Sequence, residues 1–261
     1  MIKIDTKYSW LLIFLTSLSY NIYAADQTEW VQKKALLGGN ENTDKTYQPI
    51  PWKIEAELGL VITQGNTETQ TINSKLDLTK EQKNWRYNLH FEALNTSSDE
   101  ITSAEKYLGS GKINYKFKQK DYLFGLLIYE VDRFSGFKDQ TTGSLGYGHS
   151  FISSKKKNLD IEAGFGYRQN TLDTGSSESE GIFSLAGVFK WKVSKTTDFK
   201  QSLNTHIGEN ITISKSDTSL QVNIKNNLAM KLSYNVKHSS DVPLNTKKTD
   251  SITSVTLVYT F

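Results

Sequence analysis

Residues 253–261 read TSVTLVYTF. On an extended chain Val255, Leu257, Tyr259 and Phe261 fall on one face. Ser254, Thr256 and Thr260 fall on the other, with Val258 as the exception. Period two is the signature of a strand with one apolar face. Chain ends usually fray and carry polar residues unless something ties them down. An alternating end that finishes on an aromatic residue therefore predicts a strand paired to another part of the sheet.

The matching stretch is WKIEAELGLVIT, residues 52–63. It sets Trp52, Ile54, Ala56, Leu58, Leu60 and Ile62 against Lys53, Glu55, Glu57 and Thr63. The same cadence runs through Ile72–Leu78, Trp85–Ala93, Tyr107–Phe117, Thr141–Phe151, Leu159–Asn170, Phe183–Val193, Phe199–Ile213, Thr218–Ile224, Leu228–Lys237 and Ser251–Phe261. Tyr122–Phe134 also reads as a strand, but its first half is apolar on both faces, which leaves its orientation open. The reading gives about 12 strands.

A soluble sandwich also alternates. Two features favour a membrane barrel. The only prolines, Pro49, Pro51 and Pro243, lie outside the strands, as a wall that must pair every backbone group requires. The aromatic residues also have a fixed place. Trp52, Trp85 and Phe199 open odd-numbered strands, and Phe117, Phe151, Trp191, Tyr259 and Phe261 close even-numbered ones. In an up-and-down barrel those ends share one rim, which makes them an interfacial aromatic girdle. Connections after odd strands read as longer and polar (NTSSDEITSA, TLDTGSSESE, His238–Asp250), and those after even strands as compact (KEQKN, KQKD, SKTTD, KNN). Outer-membrane barrels have short periplasmic turns and longer external loops. The expectation is an all-β, transmembrane, antiparallel up-and-down β-barrel over residues 52–261. It would lie in a Gram-negative cell outer membrane with both termini periplasmic.

The N-terminal part reads separately. Lys3 and Lys7 precede a short apolar run, Trp10–Leu15, and small residues stand at Ala24 and Ala25. This is the pattern of a secretory signal peptide over residues 1–24. Residues 25–51 read as a mostly irregular periplasmic leader. Removing the signal takes two of 31 basic residues and one of 28 acidic ones. The near balance that remains argues against nucleic acid as a partner. There is no cysteine, hence no disulfide framework and no thiolate metal site.

Several stretches also resemble a known family: GLVITQGNTETQT (59–71), ALNTSSDE (93–100) followed by SAEKY (103–107), DYLFGLLIYEVDRFSGF (121–137) and GYGHSF (146–151). They are similar to the YdiY-like family, described as salt-induced outer-membrane proteins of unknown function, over nearly all of residues 52–261. The resemblance implies a porin-like barrel and a link to salt or osmotic stress. It supplies no catalytic residue. By resemblance to outer-membrane barrels at large, Phe261 is the assembly signal read by the barrel-assembly machinery.

Chemistry is sparse. His90, His149, His206 and His238 lack zinc-ligand spacing, and no metal or cofactor is expected. A lipid-active outer-membrane hydrolase is the enzymatic alternative, suggested by GHS (148–150) and HSSD (238–241). Neighbours on a strand point to opposite faces, so His149 and Ser150 cannot serve each other, and no catalytic residue is assigned. The inward face is more informative. Away from strand ends it carries Lys75, Lys112, Arg168, Lys190 and Lys231 against Glu55, Glu57, Asp77, Glu92 and Glu162, five of each sign. Isolated charges in a narrow lumen are costly and paired ones are tolerated. Glu55 and Glu57 are expected to partner Lys75 and Lys112. The balance predicts either a self-neutralised filling or a narrow, weakly selective channel. The remaining expected partners are outer-membrane lipid and lipopolysaccharide.

Overall fold

The computed structural model describes residues 51–63, 69–98, 101–132, 137–172, 175–242 and 247–261. The signal peptide and the leader lie outside these residues, apart from Pro51. The strands are β1 (Lys53–Thr63), β2 (Thr69–Glu81), β3 (Trp85–Ser98), β4 (Ile101–Lys116), β5 (Asp121–Asp132), β6 (Phe137–Ser153), β7 (Lys157–Leu172), β8 (Ser177–Lys192), β9 (Thr197–Gly208), β10 (Thr212–Lys225), β11 (Leu228–Ser239) and β12 (Thr249–Thr260). Each pairs with its neighbours in sequence, and β1 pairs with β12, so the sheet is a closed barrel with no free edge.

The final strand is tied down as its alternation requires. Glu55 faces Thr260 and Leu58 faces Leu257 in antiparallel register. The backbone N–H of Phe261 donates to the Ile54 carbonyl at 2.9 Å. The rim that holds Trp52 and Phe261 is called the terminal rim below, and the opposite one the distal rim.

Strand limits differ from the sequence reading in two ways. Phe199–Ile213 holds a turn, because β9 ends at Gly208 and β10 begins at Thr212. Alternation carries on through Ile211 and Ile213, which turn inward and pack with Phe137 and Leu172. The polar runs read as long loops are largely strand. Only two residues separate β3 from β4, and His238 and Ser239 are the last residues of β11 rather than loop. Ser, Thr, Asn and Glu stay in the ladder there because both faces are polar. Period two then vanishes from the sequence while the hydrogen bonding continues. The connection from 240 to 248 is the one that stays long.

Outward side chains form a continuous apolar band. Leu145 is 72% exposed and Phe165 is 74% exposed, and Leu127, Ile113, Leu203 and Leu257 are exposed as well. A closed wall with such a band is the surface of a bilayer-spanning barrel. β5 resolves the open orientation. Leu123, Leu127 and Tyr129 face out, while Tyr122, Phe124 and Glu130 are buried inside. Its inward rings lie on glycine. A Cβ at Gly148 would sit 2.3 Å from the Tyr122 ring. On the same wall a Cβ at Gly164 would meet the Leu145 carbonyl oxygen at 2.4 Å, so β6 and β7 approach as only glycine permits. The first half of β5 is apolar on both faces because one face meets lipid and the other meets this glycine floor.

Candidate functional site: the charged lumen

The aromatic residues of the terminal rim lie on the outer face. Trp52, Trp85, Phe117, Phe151, Trp191, Tyr259 and Phe261 are exposed, and Phe199 is half-buried. The rings pack in pairs: Tyr259 with Phe261 at 4.6 Å between centroids and Trp85 with Tyr115 at 4.8 Å. Phe199 stands in register with Trp191.

Inside, the charges find partners that differ from those expected. Lys75 stands in register with both Glu57 and Glu92, yet its ammonium lies 3.8 Å from Glu92. Glu57 pairs with Lys231 of β11, and Thr256 between them donates to it at 3.4 Å. Glu55 pairs with Lys53 at 2.9 Å. Lys112 donates to Glu162 at 2.6 Å, from β4 to β7. Tyr122 donates to the same carboxylate at 2.8 Å, and the Lys112 ammonium rests 5.0 Å from the Phe124 ring centre. Asp77 meets His90 at 2.8 Å. Arg168 is 1% exposed and donates through Nε to Glu180 at 3.2 Å, and also to the Ile211 carbonyl. Glu180 in turn accepts from the Asn210 backbone N–H at 2.8 Å, which pins the β9–β10 turn. Lys190 departs from the expected network. Neither its side chain nor that of Lys200, its register partner on β9, has an ion pair or hydrogen bond among the described residues.

The densest cluster is one that sequence reasoning missed. Glu130 of β5 is 3% exposed. It accepts from Lys215 of β10 at 2.5 Å and from Lys237 of β11 at 2.7 Å, and Lys106 of β4 lies 3.8 Å away. Asp132 stands 3.9 Å from Lys237. In the closed strand order β11 is six strands from β5 in either direction, so the contact crosses the lumen. A circular wall of twelve strands would be roughly 20–25 Å across, too wide for a Lys–Glu pair to bridge. The wall is therefore drawn in near the distal rim, and the ion cluster fills the gap.

His149 and Ser150 point to opposite faces. His149 lies against Phe151 and 2.6 Å from Asp121, while the Ser150 hydroxyl donates to Asp160 at 2.6 Å. One serine hydroxyl does stand within reach of a histidine: Ser184 Oγ and His206 Nδ1 are 2.8 Å apart. No carboxylate contacts His206 among the described residues, and the charges acting on it are Lys215 and Arg168. The third, orienting group of a hydrolytic triad is absent from that pair.

A model of the family described as "Protein of unknown function, DUF481" matches residues 56–261. The chain belongs to that family. It is 27% identical over 210 residues to the uncharacterized protein YdiY of Escherichia coli (strain K12), an alignment covering 80% of this chain and 83% of the relative. Among solved structures it is similar to the COG4313 outer membrane channel from Pseudomonas putida F1 (TM-score 0.48, 9% identity, 85% of this chain and 100% of that one). It is also similar to the translocator domain of the autotransporter NalP from Neisseria meningitidis (TM-score 0.46, 12% identity, 93% and 98%).

Proposed function

We propose that this DUF481 protein is a non-enzymatic β-barrel of the Gram-negative outer membrane. It acts as a structural barrel or as a narrow, weakly selective channel whose distal mouth is closed at rest. The observation that carries the reading is the Glu130 carboxylate held by Lys215 and Lys237 of the far wall. The short connections at the terminal rim and the 240–248 connection at the distal rim support termini on the periplasmic side. The link to salt or osmotic stress is taken from the family resemblance. In a Gram-negative host the protein is expected in the outer-membrane fraction as a heat-modifiable band, with small conductance steps in planar bilayers. A band confined to the soluble fraction, or large constant conductance, would contradict the reading.

Assembly is proposed to use the chain end, with outer-membrane lipid and lipopolysaccharide around the finished barrel. Phe261 is 55% exposed at the rim, so its ring contributes only part of the roughly 1.5–3 kcal/mol of a fully buried apolar side chain. Its larger role is recognition of β12 by the barrel-assembly machinery, before β1 closes the two open edges. Deleting Phe261 is expected to lower insertion in cells strongly while leaving refolding in detergent intact. Unchanged insertion would refute the signal.

A further inference from the structure

We infer that Lys190 and Lys200 form a binding site for a small oxyanion, a phosphate or a carboxylate, at the terminal mouth of the lumen. The two lysines stand directly opposite each other on β8 and β9. Like charges directly opposed on a sheet destabilise it, and here no carboxylate lies within ion-pairing distance of either among the described residues. Lys200, Arg86 and Lys53 repel Lys190 and Asp160 attracts it, while Asp77 across the lumen acts on Lys200 but is paired with His90 at 2.8 Å. Asp160 is already engaged: it accepts from Ser150 at 2.6 Å and lies 3.8 Å from Arg86.

The register partners on either side are neutral hydrogen-bonding groups, and the acid next along β9, Asp198, stands opposite Lys192. Asn158 stands opposite Lys190, and Ser219 stands opposite Lys200. Amide, two ammonium groups and hydroxyl therefore run in one row around the inner wall. Each lysine offers a compact charge with three donors on a flexible stem. An oxyanion between them would cancel their repulsion and accept from both. Entry is open, because Lys200 is exposed and Lys190 lies two residues from the end of β8.

The site rests on the barrel reading but not on conduction. A barrel that binds phosphate without conducting keeps the site and sinks the pore. A barrel that conducts without binding does the reverse.

The test uses the refolded protein in neutral detergent and inorganic phosphate, with chloride holding ionic strength constant. The unfolding midpoint of the unmodified protein is expected to rise with phosphate. Lys190→Gln or Lys200→Gln should each weaken the apparent phosphate affinity by about tenfold, the scale of one charge-assisted hydrogen bond. Lys190→Arg should retain it. No rise in the unmodified protein, or an equal rise in the double Gln variant, would overturn the site. A second readout needs no variant. Phosphate should protect Lys190 and Lys200 from acetylation, measured by mass spectrometry, and leave the exposed Lys155 unprotected. Equal labelling with and without phosphate would also overturn the site.

Discussion

The two mouths of the lumen treat lysine in opposite ways. At the distal end three lysines from β4, β10 and β11 gather on one buried carboxylate, Glu130. At the terminal end Lys190 and Lys200 face each other with no carboxylate within ion-pairing distance among the described residues. The difference follows from water. A lysine drawn across a narrowed lumen loses its hydration and must find an anion. A lysine at an open mouth keeps its hydration and stays available to a mobile anion. A lumen balanced by count can thus be closed by ion pairs at one end and carry excess positive charge at the other.

Three changes bear on this contrast, in falling order of effect. Glu130→Gln takes the shared carboxylate from three lysines in the narrow distal end and leaves Asp132 beside Lys237. Removing one partner of a buried charge cluster costs about 3–5 kcal/mol, which should appear as a lower unfolding midpoint in detergent. A midpoint like that of the unmodified protein would mean that the distal cluster is hydrated like the terminal mouth. Lys237→Gln removes one of the donors and leaves Lys215 on the carboxylate, so the cost should be about 1.5–3 kcal/mol. A loss as large as that of Glu130→Gln would mean that the lysines act as a single unit. Lys190→Glu changes a like-charged cross-strand pair into an opposite one and should stabilise the barrel by about 0.2–1 kcal/mol. It should also remove the response to phosphate. Destabilisation would show that Lys190 already has a carboxylate in solution.

Much of the wall was legible in the sequence. Period two located eleven of the twelve strands because each wall residue meets either lipid or lumen, and the apolar run from Tyr122 located β5. The end TSVTLVYTF implied closure, and Phe261 is bonded to Ile54. Strand ends were less legible where polar residues occupy both faces, as in Asn95–Ser98. Charge partners were legible only where register sets them. Lys75 does stand between Glu57 and Glu92. The contact from Lys112 to Glu162 skips two strands, and the contacts to Glu130 cross the lumen. No local pattern encodes either. Glu130 was hidden further because the first half of β5 is apolar on both faces, which leaves the strand's orientation open. Lys215 fell between the strand limits read from the sequence, and Lys237 stood at the edge of one.

The central claim is that the Glu130 cluster closes the distal mouth, and single-channel recording of the unmodified protein beside Glu130→Gln tests it most directly. With the carboxylate gone, three lysines repel one another in the same space. The variant should conduct several-fold more than the unmodified protein and prefer anions, as a lumen lined by one sign of charge does. Equal conductance and equal ion preference in the two proteins would contradict the claim.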